Sequence, residues 1–289
     1  MSLTAFAPAK VNLLLHVGPP GADGFHPLVS LAAFADVGDR LSVIEGGAPG
    51  LTVGGRLAGE APAGLDNLAL RAVTDLAAAL GRPQDLSIRL DKELPMAAGL
   101  GGGSADAAAA LRLAARAWGV AIDDPRLLAV AEGLGSDVPM CLVSRPVWGE
   151  GRGEVLSAAD WLPPLHAVLV NPGVASPTGP VYRAYGADPR PLDARPERPA
   201  DRSFAGLIDW LGRQRNDLEP PAVRLEPAIA TAVSAVRADP DVAMARMSGS
   251  GATVFGLCGD ADAAAAAADR MSRPEWWVRA CVLGAPKGT

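Results

Sequence analysis

The spacing of apolar and polar residues divides the chain into short extended runs and longer stretches of helical period. At the N-terminus, LTAFAPAKVNLLLHVG alternates and then runs apolar. It predicts a strand, a break near Pro8, and a second strand over Val11–Val17. Further strands are predicted over Leu28–Phe34, Arg40–Ile44 and Leu51–Val53, separated by Gly and Pro clusters. In NLALRAVTDLAAAL, apolar Leu68, Ala72, Leu76 and Leu80 fall four apart, which is one face of a helix. Asp66 is the predicted N-cap and Gly81 the stop. LSIRL at 86–90 reads as a strand, and a helix then runs to Trp118 with Gly119 behind it. Asp124-Pro125 opens another helix over RLLAVAEGL; GSDVP breaks it and MCLV reads as a strand.

In the second half, HAVLVNPG predicts a buried strand, and 186–202 is a proline- and charge-rich exposed loop. Helices are predicted over Phe204–Gln214, Pro227–Arg237 and Asp260–Arg270. MARMSGSGATVFGLCG gives strand, glycine turn and strand, and WWVRACVLG a last strand. WGEGRGE, around Trp148–Gly153, marks the expected boundary between lobes 1–150 and 151–289. Strands and helices mix without strict βαβ alternation, which predicts an α+β fold in two lobes.

Composition narrows the function classes. Hydrophobic residues make up 49% of the 289 and charged residues 20%, a globular balance with ample material for a core. The net charge of −6 and the lack of a long basic stripe oppose extended nucleic-acid binding. Cys141, Cys258 and Cys281 are far apart and without CxxC pairing, so buried thiols are expected rather than disulfides or zinc. No basic-then-apolar leader and no apolar run of about 18 residues occur, so a cytoplasmic protein without a membrane partner is expected.

The richest chemistry lies at 95–106, PMAAGLGGGSAD, between a predicted strand and a predicted helix. A helix N-terminus offers unpaired N–H groups and partial positive charge. Glycines let that backbone approach an anion closely, and Ser104 adds a hydroxyl, so the stretch predicts a phosphate cradle. A Walker loop is excluded, because no lysine occurs between Lys92 and Lys287. A dinucleotide fingerprint is matched at Gly99 and Gly101 but not at Ser104, with Asp123 and Asp124 where a ribose-binding acid would lie.

PMAAGLGGGSAD resembles the phosphate loop of the GHMP kinases, PAKVNLLLHV their first motif, and MSGSGATVFGL their third. Within them, DGFH, GLGSDVP and the segment around RNDLE resemble the branch acting on 4-diphosphocytidyl-2-C-methyl-D-erythritol. That resemblance implies two lobes with the site in the cleft, and transfer of the γ-phosphate of ATP to the substrate's 2-hydroxyl with Mg2+. It implies a small-molecule substrate, no nucleic acid, and a monomer or weak homodimer. Asp137 aligns with the catalytic aspartate and Lys10 with the cation beside the reacting hydroxyl. Asn12 shares a strand face with Lys10 and is expected to orient the substrate or Asp137. His26 is expected to hydrogen-bond the cytosine, with Phe25 and Tyr182 stacking on it. Phe25 stands where tyrosine is usual, and Tyr185 is a near competitor of Tyr182. The ATP cradle is expected to be Pro95, Met96, Ala97, Ala98, Gly99, Leu100, Gly101, Gly102, Gly103, Ser104 and Ala105, with Asn67 contacting adenine. Ala105 replaces a frequent second serine, and Ser104 is the candidate metal ligand. The alternatives are a homoserine- or mevalonate-type kinase, a Rossmann-type oxidoreductase and an RNA-binding domain. DGFH opposes the first, the missing third glycine the second and the acidic charge the third.

Overall fold

A computed structural model describes residues 3–62 and 64–286. The first strand, β1 (Thr4–Val17), is continuous through Pro8, because a register shift between Pro8 and Lys10 absorbs the proline. It pairs antiparallel with β2 (Leu28–Val43), which is likewise one strand where two were expected. β3 (Gly50–Gly54) follows, then α1 (Leu68–Ala79), β4 (Ser87–Asp91) and α2 (Gly102–Trp118). The cap of α1 is Asn67 rather than the neighbouring Asp66: its side chain accepts from the Ala69 N–H.

α3 (Pro125–Leu134) starts at the expected Asp124 cap. The apolar run MCLV is not a strand; it belongs to α4 (Val138–Val143), whose first turn accommodates Pro139. The hairpin β5 (Val147–Gly151) and β6 (Val155–Ala158) comes next, then β7 (Leu165–Asn171). The expected division at 150/151 falls inside β5, which pairs with β2. Two short helices escaped the periodicity, α5 (Thr178–Gly186) and α7 (Glu219–Leu225), on either side of α6 (Phe204–Gly212). α8 (Pro227–Ala238), β8 (Val242–Met247), β9 (Val254–Cys258), α9 (Ala261–Met271) and β10 (Trp277–Gly284) complete the described chain.

One sheet runs in the order β3-β4-β2-β10-β7-β9-β8, with β1 and β5 also on β2. β10 bonds to both β2 and β7, so the two halves share a sheet. Every strand pairing recorded is antiparallel except β3 with β4. A doubly wound parallel sheet is therefore absent from the described residues, and the oxidoreductase alternative loses its scaffold. The α2 alanines pack against α1 and the first-half strands, small side chains letting the helices approach closely. The three cysteines are free and buried. No described helix is long and apolar enough to cross a membrane.

Candidate active site

A cavity of about 1050 Å³ opens where the three glycine-bearing or N-terminal motifs meet. Their convergence has a backbone cause. The Lys10 N–H donates to Leu100 O at 2.8 Å, and the Thr253 N–H to Ala98 O at 3.0 Å. Ser176 N–H reaches Ala97 O at 3.0 Å. The Ser248 hydroxyl donates to Gly99 O at 2.8 Å and accepts the Asn12 N–H at 3.1 Å. The phosphate loop is thus stitched to β1 and to the turn between β8 and β9.

Glycine is required in this loop at Gly99, where φ is +73° and a Cβ would stand 2.2 Å from Ser248 O. Gly99→Ala is expected to lower kcat/KM for ATP by about tenfold or more, since left-handed backbone alone costs about 1–2 kcal/mol before the clash is relieved. Steady-state kinetics beside a thermal melt check this; unchanged values would free the loop from the turn. At Gly102 and Gly103 the nearest atoms to a Cβ are 3.7 and 3.6 Å away, ordinary contact, so protein packing does not demand glycine there. Both line the cavity, as does Ser104. α2 has no side-chain N-cap, and Ala105 N–H to Gly101 O is its first-turn bond. The N–H groups of residues 102–104 precede it, which is where an anion cap would sit.

Lys10 is not a solvated edge charge. It is buried, and its Nζ donates to Asp137 Oδ2 at 2.6 Å. Asp137 stands at the N-cap of α4, yet its side chain makes no cap hydrogen bond. The carboxylate is therefore directed at Lys10 and the cavity, which both residues line. Asn12 joins them on the same wall.

Phe25, His26 and Tyr182 line another part of the cavity. Phe25 is 56% exposed, and the Arg152 guanidinium lies over its ring, 4.1 Å from the centroid. His26 Nδ1 lies 2.7 Å from Gly18 O, a carbonyl that can only accept, so Nδ1 carries a hydrogen and Nε2 is the ring nitrogen left for a ligand. The Tyr182 ring is 5.4 Å from it. Burial pushes the Tyr182 phenol up, with the Asp137 charge adding to the effect, so it remains a donor. The Tyr185 ring is also close to His26, at 5.7 Å, but it does not line the cavity: its hydroxyl donates to Val17 O and accepts the Arg190 N–H.

The structure does not bring every expected residue to the cavity. Asn67 is buried capping α1, and its Nδ2 donates to Pro62 O. Leu100 and Ala105 are buried in core clusters and do not line the cavity. Pro95, Met96, Ala97 and Ala98 do line it. Several lining residues carried no sequence assignment, among them Ser30, Glu132, Arg152, Gly249 and Ser250. Ser30 had a signal, a hydroxyl inside the apolar run LVSLAAF. Arg152 had none, since GRGE reads as a boundary.

For a magnesium ion the oxygens lining the cavity include the Ser104 hydroxyl and the carboxylates of Glu132, Asp137 and Glu154; Ser104 and Glu132 are the candidate ligands. No cluster of three His, Cys, Asp or Glu capable of holding a metal occurs among the described residues. That donor set fits Mg2+, which takes one or two protein oxygens and completes its shell with water and substrate phosphates.

The sequence matches GHMP kinases N terminal domain over residues 67–145 and GHMP kinases C terminal over residues 200–274. The chain belongs to the GHMP kinases. A relative from Caulobacter sp. (strain K31), 51% identical over 99% of this chain and all of its own length, is named 4-diphosphocytidyl-2-C-methyl-D-erythritol kinase. So is one from Hyphomonas neptunium, at 46% identity over 98% of this chain and 97% of that one. A crystal structure of 4-(cytidine 5'-diphospho)-2C-methyl-D-erythritol kinase superimposes with a TM-score of 0.79 at 38% identity, covering 97% of this chain and 99% of that one. A homoserine kinase from Cytophaga hutchinsonii reaches 0.63 at 18% identity, over 99% of this chain and 96% of its own, a likeness of fold alone. As a GHMP kinase the chain is an ATP-dependent phosphotransferase acting on a small molecule. In this GHMP kinase the departure at Ala105 falls in the core, away from the cavity lining.

Proposed function

We propose that this kinase transfers the γ-phosphate of ATP to the 2-hydroxyl of 4-diphosphocytidyl-2-C-methyl-D-erythritol. The observation that carries the reading is one cavity in which a base-stacking end adjoins the Lys10–Asp137 pair and the glycine cradle. Whole-length relatives bearing that enzyme's name support the same substrate.

Phosphoryl transfer asks the protein for position and charge more than for covalent chemistry. Backbone N–H groups at the start of α2 hold the ATP phosphates, with Ser104 beside them. Mg2+ held by Ser104 and Glu132 would neutralise phosphate charge when bound. The alcohol lies against Asp137, which accepts its proton as the oxygen attacks phosphorus and ADP departs. The Lys10 ammonium keeps that carboxylate oriented and favours the alkoxide character developing on the acceptor. At the other end, His26 Nε2 accepts from the exocyclic amine of cytosine while Phe25 and Tyr182 flank the ring.

The purified protein given ATP, magnesium and the cytidyl substrate should release ADP. No ADP above background would sink the proposal, and a higher kcat/KM on mevalonate or homoserine would move the substrate. Phe25→Ala should raise KM for the cytidyl substrate by the equivalent of about 1–3 kcal/mol, the worth of one stacked base. ATP affinity should stay unchanged; equal effects on both substrates would remove Phe25 from the base site.

A further inference from the structure

Asn12 carries a buried oxygen with no partner. Its Oδ1 is out of contact with solvent and receives no hydrogen bond. Its Nδ2 donates to Ser30 Oγ at 2.7 Å. The Ser30 hydroxyl spends its own proton on Leu14 O at 2.9 Å. Only lone pairs remain on Ser30 to face Asn12, so the amide is fixed with NH2 toward Ser30 and oxygen away from it. The β1–β2 register shifts between Asn12 and Leu14, an irregularity that re-aims Asn12 relative to its neighbours. Oδ1 faces Gly249, in the turn between β8 and β9, where a Cβ would stand 3.2 Å from it. Asn12, Ser30 and Gly249 all line the cavity that holds Lys10 and Asp137.

We propose that Ser30 is a positioning residue for the acceptor alcohol: it locks the Asn12 amide so that Oδ1 accepts a hydrogen bond from a second hydroxyl of a polyol, next to the one phosphorylated. The inference rests on the substrate reading above and adds a rule of selection. An acceptor-only atom left unpaired in a buried wall rejects an analogue that lacks the donor. Without Ser30 the amide can turn, present NH2 instead, and lose that discrimination.

The test sets wild type, Ser30→Ala and Ser30→Thr against 4-diphosphocytidyl-2-C-methyl-D-erythritol and its 1-deoxy and 3-deoxy analogues. Wild type should disfavour one deoxy analogue by about 10- to 100-fold in kcat/KM, the range for leaving a buried polar group unpaired. Ser30→Ala should lose about tenfold on the full substrate, keep its KM for ATP, and barely distinguish the analogue. Ser30→Thr, which restores a hydroxyl, should recover the discrimination. If Ser30→Ala melts early, Ser30→Thr and the wild-type analogue series still decide. Equal discrimination in wild type and Ser30→Ala overturns the proposal, as does wild type that ignores both missing hydroxyls. Wild type inactive on the full substrate overturns the substrate reading and this inference with it; activity without a Ser30 effect overturns the inference alone.

Discussion

Asp137→Asn is expected to lower kcat by about 10²–10⁴, the range for a general acid–base group, in a protein that remains folded. Asparagine keeps the shape of the side chain and removes its capacity to accept a proton. The fold should tolerate the change because the Asp137 side chain makes no cap bond to α4. Its partner should also survive in place: Lys10 is buried in β1 and its N–H is tied to Leu100 O. The Lys10 side chain is only 6% exposed, but the amide oxygen of asparagine can still accept from its Nζ, so Tm should fall by a few degrees rather than collapse. KM for ATP should move little, since the cradle lies at the start of α2 rather than at α4. A thermal melt and steady-state kinetics in both substrates make the check. Near-normal turnover from folded Asp137→Asn would assign proton acceptance elsewhere; a matching loss of Tm would make Asp137 a structural residue.

What the sequence disclosed and what it hid follow from the range of the forces involved. The glycine loop, its helix and the Gly119 stop were legible, because a left-handed glycine and an alanine-rich helical period are local properties. So was the Asp124-Pro125 start of α3. MCLV was misread because a short apolar run fits a strand and a buried helical turn equally well. α5 and α7 were missed because Pro180, Pro220 and Pro221 look like breakers, although a first helical turn tolerates them. Lys10 and Asp137 could be paired only through a resemblance, since 127 residues separate them and neither position is unusual alone. The hydrogen-bond chain from Leu14 through Ser30 to Asn12 was out of reach for the same reason: it depends on where an irregular strand pairing aims one side chain. The most deeply hidden feature was a buried charge cluster. Nothing in the local sequence sets Lys92 apart, yet it is 1% exposed.

That cluster sets the second expectation, a loss of about 3–5 kcal/mol on Asp39→Ala, or a Tm lower by on the order of 10 °C. Lys92 Nζ donates to Asp39 Oδ2 at 2.5 Å and to Asp106 Oδ2 at 2.7 Å, all three side chains being almost wholly buried. Asp39 Oδ1 also accepts the Glu93 and Leu94 N–H groups, so alanine would orphan two backbone donors as well as remove the ionised partner of Lys92. The cluster lies directly beneath the phosphate loop: a Cβ on Gly102 would be 3.7 Å from Lys92 Nζ, and Asp106 belongs to α2 itself. Loosening it should therefore weaken ATP binding along with the fold. Asp106 behaves differently from Asp39. Burial, reinforced by the Asp39 charge against the pull of Lys92, pushes its carboxyl up to about 8 from an ordinary 3.8. Between those values the folded protein holds a proton that the unfolded chain has released, so this group makes stability fall as pH rises through that window. Asp106→Asn imitates the protonated acid and leaves the Lys92–Asp39 pair intact. It should change Tm by only a few degrees near pH 5, and its Tm should decline less than that of wild type on going to pH 8. Melts of wild type, Asp39→Ala and Asp106→Asn across pH 5–8 separate the two roles. Equal losses from the two substitutions, or parallel pH profiles for wild type and Asp106→Asn, would mean that Asp106 is ionised and shares the burden of neutralising Lys92 equally with Asp39.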